Sequence, residues 1–316
     1  MASLTFTPEM LAAARELVGP HVHHTPVMHS RLLDQLAGAP LFFKCENFQR
    51  GGSYKLRGAT HALLRLQEQA PVPAVVTHSS GNFAQALSVA AQAVGIPAHI
   101  VMPENAPAVK KAAVHTYGGR ITECAPTLEA REDAAARISE ETGAVFIHPS
   151  NDPMVMLGQG TACAELLEEV PDLECVVAPV GGGGLLGGTA LACTFTDNAC
   201  EPIGAEPLRV DDAYRSLQSG RIESNSRTDT VADGLRTVLG SHTFPVLKQY
   251  VNTIIRVEEA EIITAMRLVW ERMKIVIEPS SAVALAAVLK DPGYIGGRKT
   301  GIIVSGGNVD LGKLPF

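Results

Sequence analysis

Lys55 stands in the stretch GGSYKLRGA, residues 51 to 59, with a glycine pair before it and Arg57, Gly58 and Ala59 soon after it. An amine set between an aromatic residue and a leucine can act as a nucleophile if burial keeps it neutral. It can equally be a solvated charge on the first turn of an ordinary helix. Gly181, Gly182, Gly183 and Gly184 form a second cluster, with Gly187 and Gly188 close behind. Successive residues without Cβ let backbone N–H groups converge on an anion at a helix N-terminus, where the macrodipole also favours negative charge. A phosphate cradle needs such a run, whereas a tight strand-to-helix turn is satisfied by fewer glycines. The pattern is neither GxGxxG nor GxxxxGK[ST], so it does not specifically indicate a nucleotide.

Two polar clusters offer complementary chemistry. Ser79, Ser80, Gly81 and Asn82 precede a helical stretch, and their hydroxyls, amide and backbone N–H groups suit a carboxylate or a ring oxygen. Helix capping is the competing reading. Ser305, Gly306, Gly307 and Asn308 end an apolar run, where the serine hydroxyl can face a ring nitrogen or simply close a turn. Glu206 and Asp212 bracket PLRVD with Asp211 beside them, a density of oxygen ligands that suits a hard cation such as Mg²⁺ or Ca²⁺ and equally a solvated acidic loop.

These clusters are positioned by an alternation of strand-like and helical segments. PLFFKCEN, VPAVVTHSS, AHIVMP, AVFIHP, CVVAPVGGGG, PIGAEP and TGIIVSGGN read as short buried strands ending in turn residues. FAQALSVAAQAVG, ENAPAVKKAAVHTYG, LEAREDAAARISEETG, GQGTACAELLEEV and EAEIITAMRLVWERM carry helical periodicity, often with a terminal glycine. The alternation predicts an α/β protein with mostly parallel sheets and right-handed crossovers. In such sheets ligands gather at the carboxyl ends of the strands, which is where HSSGN, GGGG and SGGN fall.

The whole chain sets bounds. Its 316 residues suffice for two ordinary domains with a sizeable core. No apolar run reaches the roughly 18 residues that span a bilayer, and MASLTFTPEM lacks a secretory signal, so the expectation is a cytoplasmic protein without a membrane partner. A net charge of −7 without a basic cluster argues against nucleic acid. The six cysteines show no CxxC pair and read as reduced, mostly buried thiols. HVHHTP lacks the helical spacing or cysteine partner of a metal site.

Taken together and in this order, the clusters resemble the fold-type II pyridoxal-phosphate enzymes, specifically the serine/threonine dehydratase and serine racemase group. KCENFQRGGSYKLRGA resembles the family's lysine segment, HSSGNFAQAL its asparagine loop, VGGGGLLGG its phosphate loop and SGGN its ring-nitrogen motif. HPSNDPMVMLGQGT, GAEPLRVDDAYRSL, TVADGLR and EPSSAVALAAVL fit at the corresponding places. The resemblance implies two open, twisted, mostly parallel sheets with flanking helices, as in tryptophan-synthase-β-like folds. It divides the chain into a large cofactor-binding domain, 1–73 with 152–316, and a small domain, 74–151, that closes over substrate; a homodimer is implied as well.

By the same resemblance Lys55 forms the Schiff base with pyridoxal phosphate, Asn82 bonds the ring's 3-oxygen, Gly181 to Gly184 hold the phosphate, and Ser305 faces the pyridine nitrogen. A neutral hydroxyl there leaves the ring nitrogen largely unprotonated, which weakens the electron sink and suits rapid loss of a β-substituent. Ser79, Ser80, Gly81 and Asn82 would grip the carboxylate of an amino-acid substrate, and Ser80 could protonate the opposite face of the α-carbon in a racemase. Glu206, Asp212 and the Val210 carbonyl match the family's divalent-cation site. Arg131 matches a position near the active site that can meet an anionic β-group, and reads equally as a surface arginine in an i, i+4 charge pattern. The implied activity is an ammonia-lyase converting a 3-hydroxy amino acid (serine, threonine or 3-hydroxyaspartate) to a 2-oxo acid and ammonia. Amino-acid racemisation with side dehydration is the alternative, and a non-catalytic ligand-binding relative the remaining one, against which retention of Lys55 counts. The chain departs from the family at Phe83, where histidine is common, at Gly51, where threonine is usual, and at Tyr54, where phenylalanine is usual. Phe83 removes a polar group beside the substrate carboxylate and leaves room for a β-substituted substrate.

Overall fold

The computed structural model describes residues 5–196 and 199–316. Among the described residues ten strands make two sheets. One contains β1 (Val27–Met28), β2 (Leu41–Cys45), β7 (Cys175–Pro179), β8 (Glu201–Pro207), β9 (Thr253–Val257) and β10 (Thr300–Val304), in the order β1-β2-β10-β7-β8-β9. All neighbours are parallel except β1 on β2. The other sheet is built wholly from β3 (Val75–His78), β4 (Ala98–Pro103), β5 (Arg120–Cys124) and β6 (Val145–Phe146), in the order β5-β4-β3-β6, all parallel.

The first-sheet helices are α1 (Pro8–Val18), α2 (Arg31–Ala37), α7 (Pro153–Glu169), α8 (Gly184–Thr194), α9 (Asp212–Ser219), α10 (Thr243–Tyr250), α11 (Glu259–Met273), α12 (Pro279–Lys290) and α13 (Pro292–Ile295). Those of the second sheet are α4 (Asn82–Ala93), α5 (Ala108–Thr116) and α6 (Leu128–Thr142), while α3 (Lys55–Gln69) packs on both α7 and α4. Each sheet has apolar residues buried on both faces, as parallel sheets require.

The topology puts a switch point in each sheet. β7, β8 and β9 advance one way and β10 returns to the far side of β7; likewise β3, β4 and β5 advance and β6 returns to the far side of β3. A crevice opens at the carboxyl edge where the order reverses. The loops at those edges are Gly181–Gly184 after β7, Ser305–Asn308 after β10 and Ser79–Asn82 after β3.

Local chemistry explains why the elements begin and end as they do. Asp152 caps α7 through its Oδ1, which accepts from the N–H groups of Met154 and Val155, with Pro153 at the first helical position. Glu258 and Glu261 form a capping box at the start of α11. Helix α7 lies against α8 at glycines: a Cβ on Gly160 would stand 2.7 Å from the Gly188 carbonyl oxygen. Small residues there bring the backbones into near contact.

A buried ion network sets α3 on the first sheet. The Arg57 guanidinium takes both oxygens of Glu46 at 2.8 Å and both oxygens of Glu165 at 2.6 and 2.7 Å. Lys44, from β2, donates to Glu169 at 2.9 Å and to the Thr25 carbonyl at 2.7 Å, and pairs with Glu165 at 3.0 Å. Both cations are 0 % exposed, so their charges are tolerated only because every one is paired.

Candidate active site

Lys55 opens α3 after a 3-10 turn in which Gly51 and Gly52 adopt φ of 72° and 74°, a left-handed geometry that glycine reaches without strain. The turn is bonded to the end of β10. Tyr54 N–H donates to the Ser305 carbonyl at 3.0 Å, Gly307 N–H donates to the Gly52 carbonyl at 2.9 Å, and Ser53 bridges Gly306. Two segments some 250 positions apart in sequence thus form one wall.

The Lys55 Nζ donates to the Pro149 carbonyl at 2.7 Å and lies 5.1 Å from the Tyr54 ring centroid and 5.8 Å from that of Phe83. Burial among these groups lowers its pKa to about 7, with Glu278 pulling the other way. Because the lowered pKa belongs to a base, the reactive neutral amine dominates above pH 7. In cofactor-free protein, capture of an aldehyde by Lys55 is therefore expected to quicken about tenfold per pH unit up to pH 7 and then level off. Stopped-flow absorbance across pH 5 to 10 would read this; a rate still climbing at pH 9 contradicts it.

The asparagine loop meets the lysine wall directly. Asn82 starts α4; its Nδ2 donates to Glu278 Oε1 at 2.8 Å and its Oδ1 accepts from Asn308 Nδ2 at 3.0 Å. Asn308 also donates to the Gly51 carbonyl at 2.8 Å. Ser79, Ser80 and Gly81 lead into the helix partly exposed, with Gly81 N–H donating to Ser79 Oγ at 3.4 Å. The Ser80 hydroxyl has no hydrogen-bond partner among the described residues. Phe83 is buried and turns its ring toward Lys55, an apolar wall in place of a polar one.

Gly181 to Gly184 run from β7 into α8. A Cβ on Gly182 would fall 2.3 Å from Ser150 Oγ, and Gly183, at φ +83°, would press on Leu239 and Thr243. The adjoining Gln159 amide is buried with neither its oxygen nor its nitrogen bonded, and lies 2.5 Å from where a Gly184 Cβ would be. Ser53 Oγ, two residues before Lys55, is also buried without a partner. A loop stripped of side chains, at a helix N-terminus and beside unsatisfied polar atoms, fits a phosphate-bearing group, and the amine of Lys55 fits its aldehyde. Ser305 is buried at the end of β10 with its Oγ 3.0 Å from Ser281 Oγ, leaving a neutral hydroxyl pair for a ring nitrogen.

Arg131 sits in the first turn of α6, its Nε donating to the Thr127 carbonyl at 3.2 Å. Its charge acts on His78 at the end of β3: burial first, then Arg131, lowers the histidine's pKa. The arginine stands on the helix that follows β5, at the carboxyl edge of the second sheet.

Some site residues escaped sequence reasoning. His148 follows β6; its Nδ1 accepts from Ser150 N–H at 3.1 Å and Asn151 N–H at 2.8 Å, which fixes the proton on Nε2. Burial, helped by His78 and Lys55, pushes it down to about 4, so it is neutral at physiological pH. Glu278, at the start of α12, is pushed up to about 8 by burial and by Asp233. The HPSN and EPSS segments held these residues in plain view, but only the three-dimensional approach of their loops to Lys55 singles them out. An ion pair from Lys110 of α5 to Asp233 joins the second-sheet helices to the first-sheet side of the cleft.

Glu206 and Asp212 come together away from Lys55. Glu206 accepts from Ala213 and Tyr214 N–H groups at 2.9 Å; Asp212 accepts from Asn225 Nδ2 at 2.6 Å and Leu239 N–H at 3.0 Å. Burial, then Asp212, pushes Glu206 well above the usual carboxylate range, and burial raises Asp212 to about 6. Asp211 is not part of this pair, because Arg215 and Arg256 hold it. Among the described residues no group of three or more His, Cys, Asp or Glu side chains is arranged to hold a metal ion.

Comparison with known proteins agrees with this geometry. The chain is 49% identical over 310 residues to the beta-hydroxyaspartate dehydratase of Paracoccus denitrificans (strain Pd 1222), covering 98% of each chain. It is 46% identical to the serine racemase of Dictyostelium discoideum, covering 98% of this chain and 97% of that one. The structure of maize serine racemase superposes with a TM-score of 0.95 at 44% identity, over 98% of this chain and 95% of that one. The family described as pyridoxal-phosphate dependent enzyme matches residues 18–306, and the chain belongs to it.

Proposed function

We propose that the chain is an ammonia-lyase for 3-hydroxy amino acids, with 3-hydroxyaspartate as its preferred substrate. The observation that carries the reading is the apolar wall that Phe83 and Tyr54 set around Lys55; with it goes the proposal that Arg131, in the first turn of α6, supplies the cation for a substrate's second carboxylate. The identity to a beta-hydroxyaspartate dehydratase supports it.

Pyridoxal phosphate, when bound, supplies an electron sink for charge developing at the α-carbon. Lys55 would anchor it, Gly181 to Gly184 would hold its phosphate, Asn82 its ring oxygen and Ser305 its ring nitrogen. Lys55, about half neutral at pH 7 and mostly neutral above it, is the base for the α-proton. Ser79, Ser80, Gly81 and Asn82 orient the α-carboxylate with hydroxyl and N–H donors, and Arg131 takes the β-carboxylate. Phe83 keeps water from the lysine. Retention of Ser80 with an unpaired hydroxyl, together with 46% identity to a serine racemase, favours amino-acid racemisation as a second reading, Ser80 then serving the opposite face of the α-carbon.

The assignments beyond the site belong to the same proposal. Residues 74–151 form a small domain that closes on 1–73 with 152–316, and the protein is a homodimer. A divalent cation, Mg²⁺ or Ca²⁺, is held by Glu206, Asp212 and the Val210 carbonyl and relieves the repulsion between the two acids. Among the described residues no helix is long and apolar enough to cross a membrane, and the net charge of −7 gives no footing for nucleic acid. Cytoplasmic placement remains part of the proposal.

The test compares 2-oxo acid release from L-serine, L-threonine and 3-hydroxyaspartate by wild type and Arg131→Ala. Loss of a charged hydrogen bond predicts a fall of about 10- to 100-fold in kcat/KM for 3-hydroxyaspartate, with serine little changed. An equal fall for all three would remove Arg131 from the pocket. Inversion of the α-carbon outrunning ammonia release would make the racemase the principal activity.

A further inference from the structure

We propose that a cleft beyond the carboxyl ends of β8 and β9 binds a small phosphate-bearing anion, at a site separate from the glycine loop. The cleft encloses about 300 Å³ and is lined by Arg209, Arg215, Arg227, Asp211 and Asn225, with Leu208 on one side. Its guanidiniums share too few carboxylates. Arg209 and Arg227 both pair with Asp229, and Arg215 and Arg256 both pair with Asp211. Glu258, also at the wall, directs its carboxylate to the first turn of its own helix in the capping box.

Donors are left over. Arg209 uses Nη1, Arg215 uses Nε and Nη2, and Arg227 uses Nε and Nη2; Arg209 Nη2, Arg215 Nη1 and Arg227 Nη1 have no hydrogen-bond partner among the described residues. Guanidinium forks suit carboxylate and phosphate alike. A tetrahedral dianion can accept from several forks arriving from different directions, whereas a planar carboxylate is satisfied by one or two; three arginines lining one cleft therefore favour phosphate.

The cleft is wired to the cofactor side of the molecule. Asn225 accepts from Arg215 Nη2 at 3.1 Å and donates to Asp212 at 2.6 Å, and Asp212 accepts from Leu239 N–H at 3.0 Å. Leu239 Cδ2 lies 2.8 Å from where a Cβ of Gly183 would stand. An anion that draws on Arg215 acts along this line on the loop after β7.

Isothermal titration calorimetry on cofactor-loaded protein, at constant ionic strength in chloride without divalent cations, tests the site with inorganic phosphate and glycerol 3-phosphate. The expected result is saturable binding of one anion per chain, weakened at least tenfold in Arg227→Gln, whose side chain pairs only at the surface, and further in Arg209→Gln/Arg227→Gln. Tighter binding of glycerol 3-phosphate identifies a phosphate monoester as ligand, and equal affinity identifies free phosphate; both support the site. Absence of saturable heat for either anion, or unchanged affinity in the double variant with its cofactor absorbance intact, overturns it. The readout is binding to loaded protein, so it stands apart from which amino acid is turned over.

Discussion

Lys55→Ala is expected to abolish ammonia release and racemisation together. The variant loses the amine that anchors the cofactor's aldehyde and the base that takes the α-proton, and a positioned base alone contributes about 10²- to 10⁴-fold. The combined loss should be at least about 10⁴-fold in kcat/KM. The fold should survive: the side chain's one hydrogen bond is to the Pro149 carbonyl, and its removal takes away a cation that burial disfavours. Circular dichroism and a urea melt close to wild type, with the lysine-bound cofactor band gone, would establish this. Ser80→Ala is the control: elimination should stay within a few fold while inversion falls. Equal loss of both activities in Ser80→Ala would contradict the division of labour between the two residues.

The largest effect on stability is expected far from the chemistry, at Arg57. Arg57→Met leaves Glu46 and Glu165 buried with their bidentate partner gone. Removing one member of a buried ionic cluster typically costs about 3–5 kcal/mol, because the partners' desolvation is no longer offset. Against a total of about 5–15 kcal/mol for a native protein this is severe. Urea unfolding should show the midpoint fall accordingly, and adding Glu46→Gln to Arg57→Met should recover part of the loss by removing an orphaned charge. A loss under about 1 kcal/mol, or no recovery in the double variant, would mean that water reaches the network.

Much of this architecture is legible in the sequence because buried parallel strands announce themselves as short apolar runs closed by turn residues. β2, β3, β4, β6, β7, β8 and β10 fall where such runs predict them, and α4, α5, α6, α7 and α11 where helical periodicity does. β5, RITEC, and β9, TIIRV, were not foreseen. β5 lies at a sheet edge with Arg120 and Glu123 exposed and no residue fully buried, so no continuous apolar run marks it, and β9 carries Arg256 toward Asp211. Neither of them, nor the two-residue β1, bears a glycine loop.

Lys55 and the glycine loops were visible because unusual composition at a strand end is a local signal. Glu278 and His148 were not, since an acid ahead of a proline and a histidine ahead of another are common pairs. What distinguishes them is burial beside Lys55, a property of the folded cleft. The acidic pair was visible as spacing, but Asp211, next to Asp212 in sequence, turns out to belong to two arginines instead.

β10 occupies the centre of the first sheet, between β2 and β7, and its end is stitched to the turn that holds Lys55. During synthesis the lysine leaves the ribosome long before this strand exists, and until the strand arrives β2 and β7 have no neighbour to join them. The pocket can therefore be finished only when residues 300–304 insert, however early the helices around it have formed. Cofactor capture becomes a report on the insertion of β10, and a chain stalled short of that strand carries Lys55 without the wall that buries it.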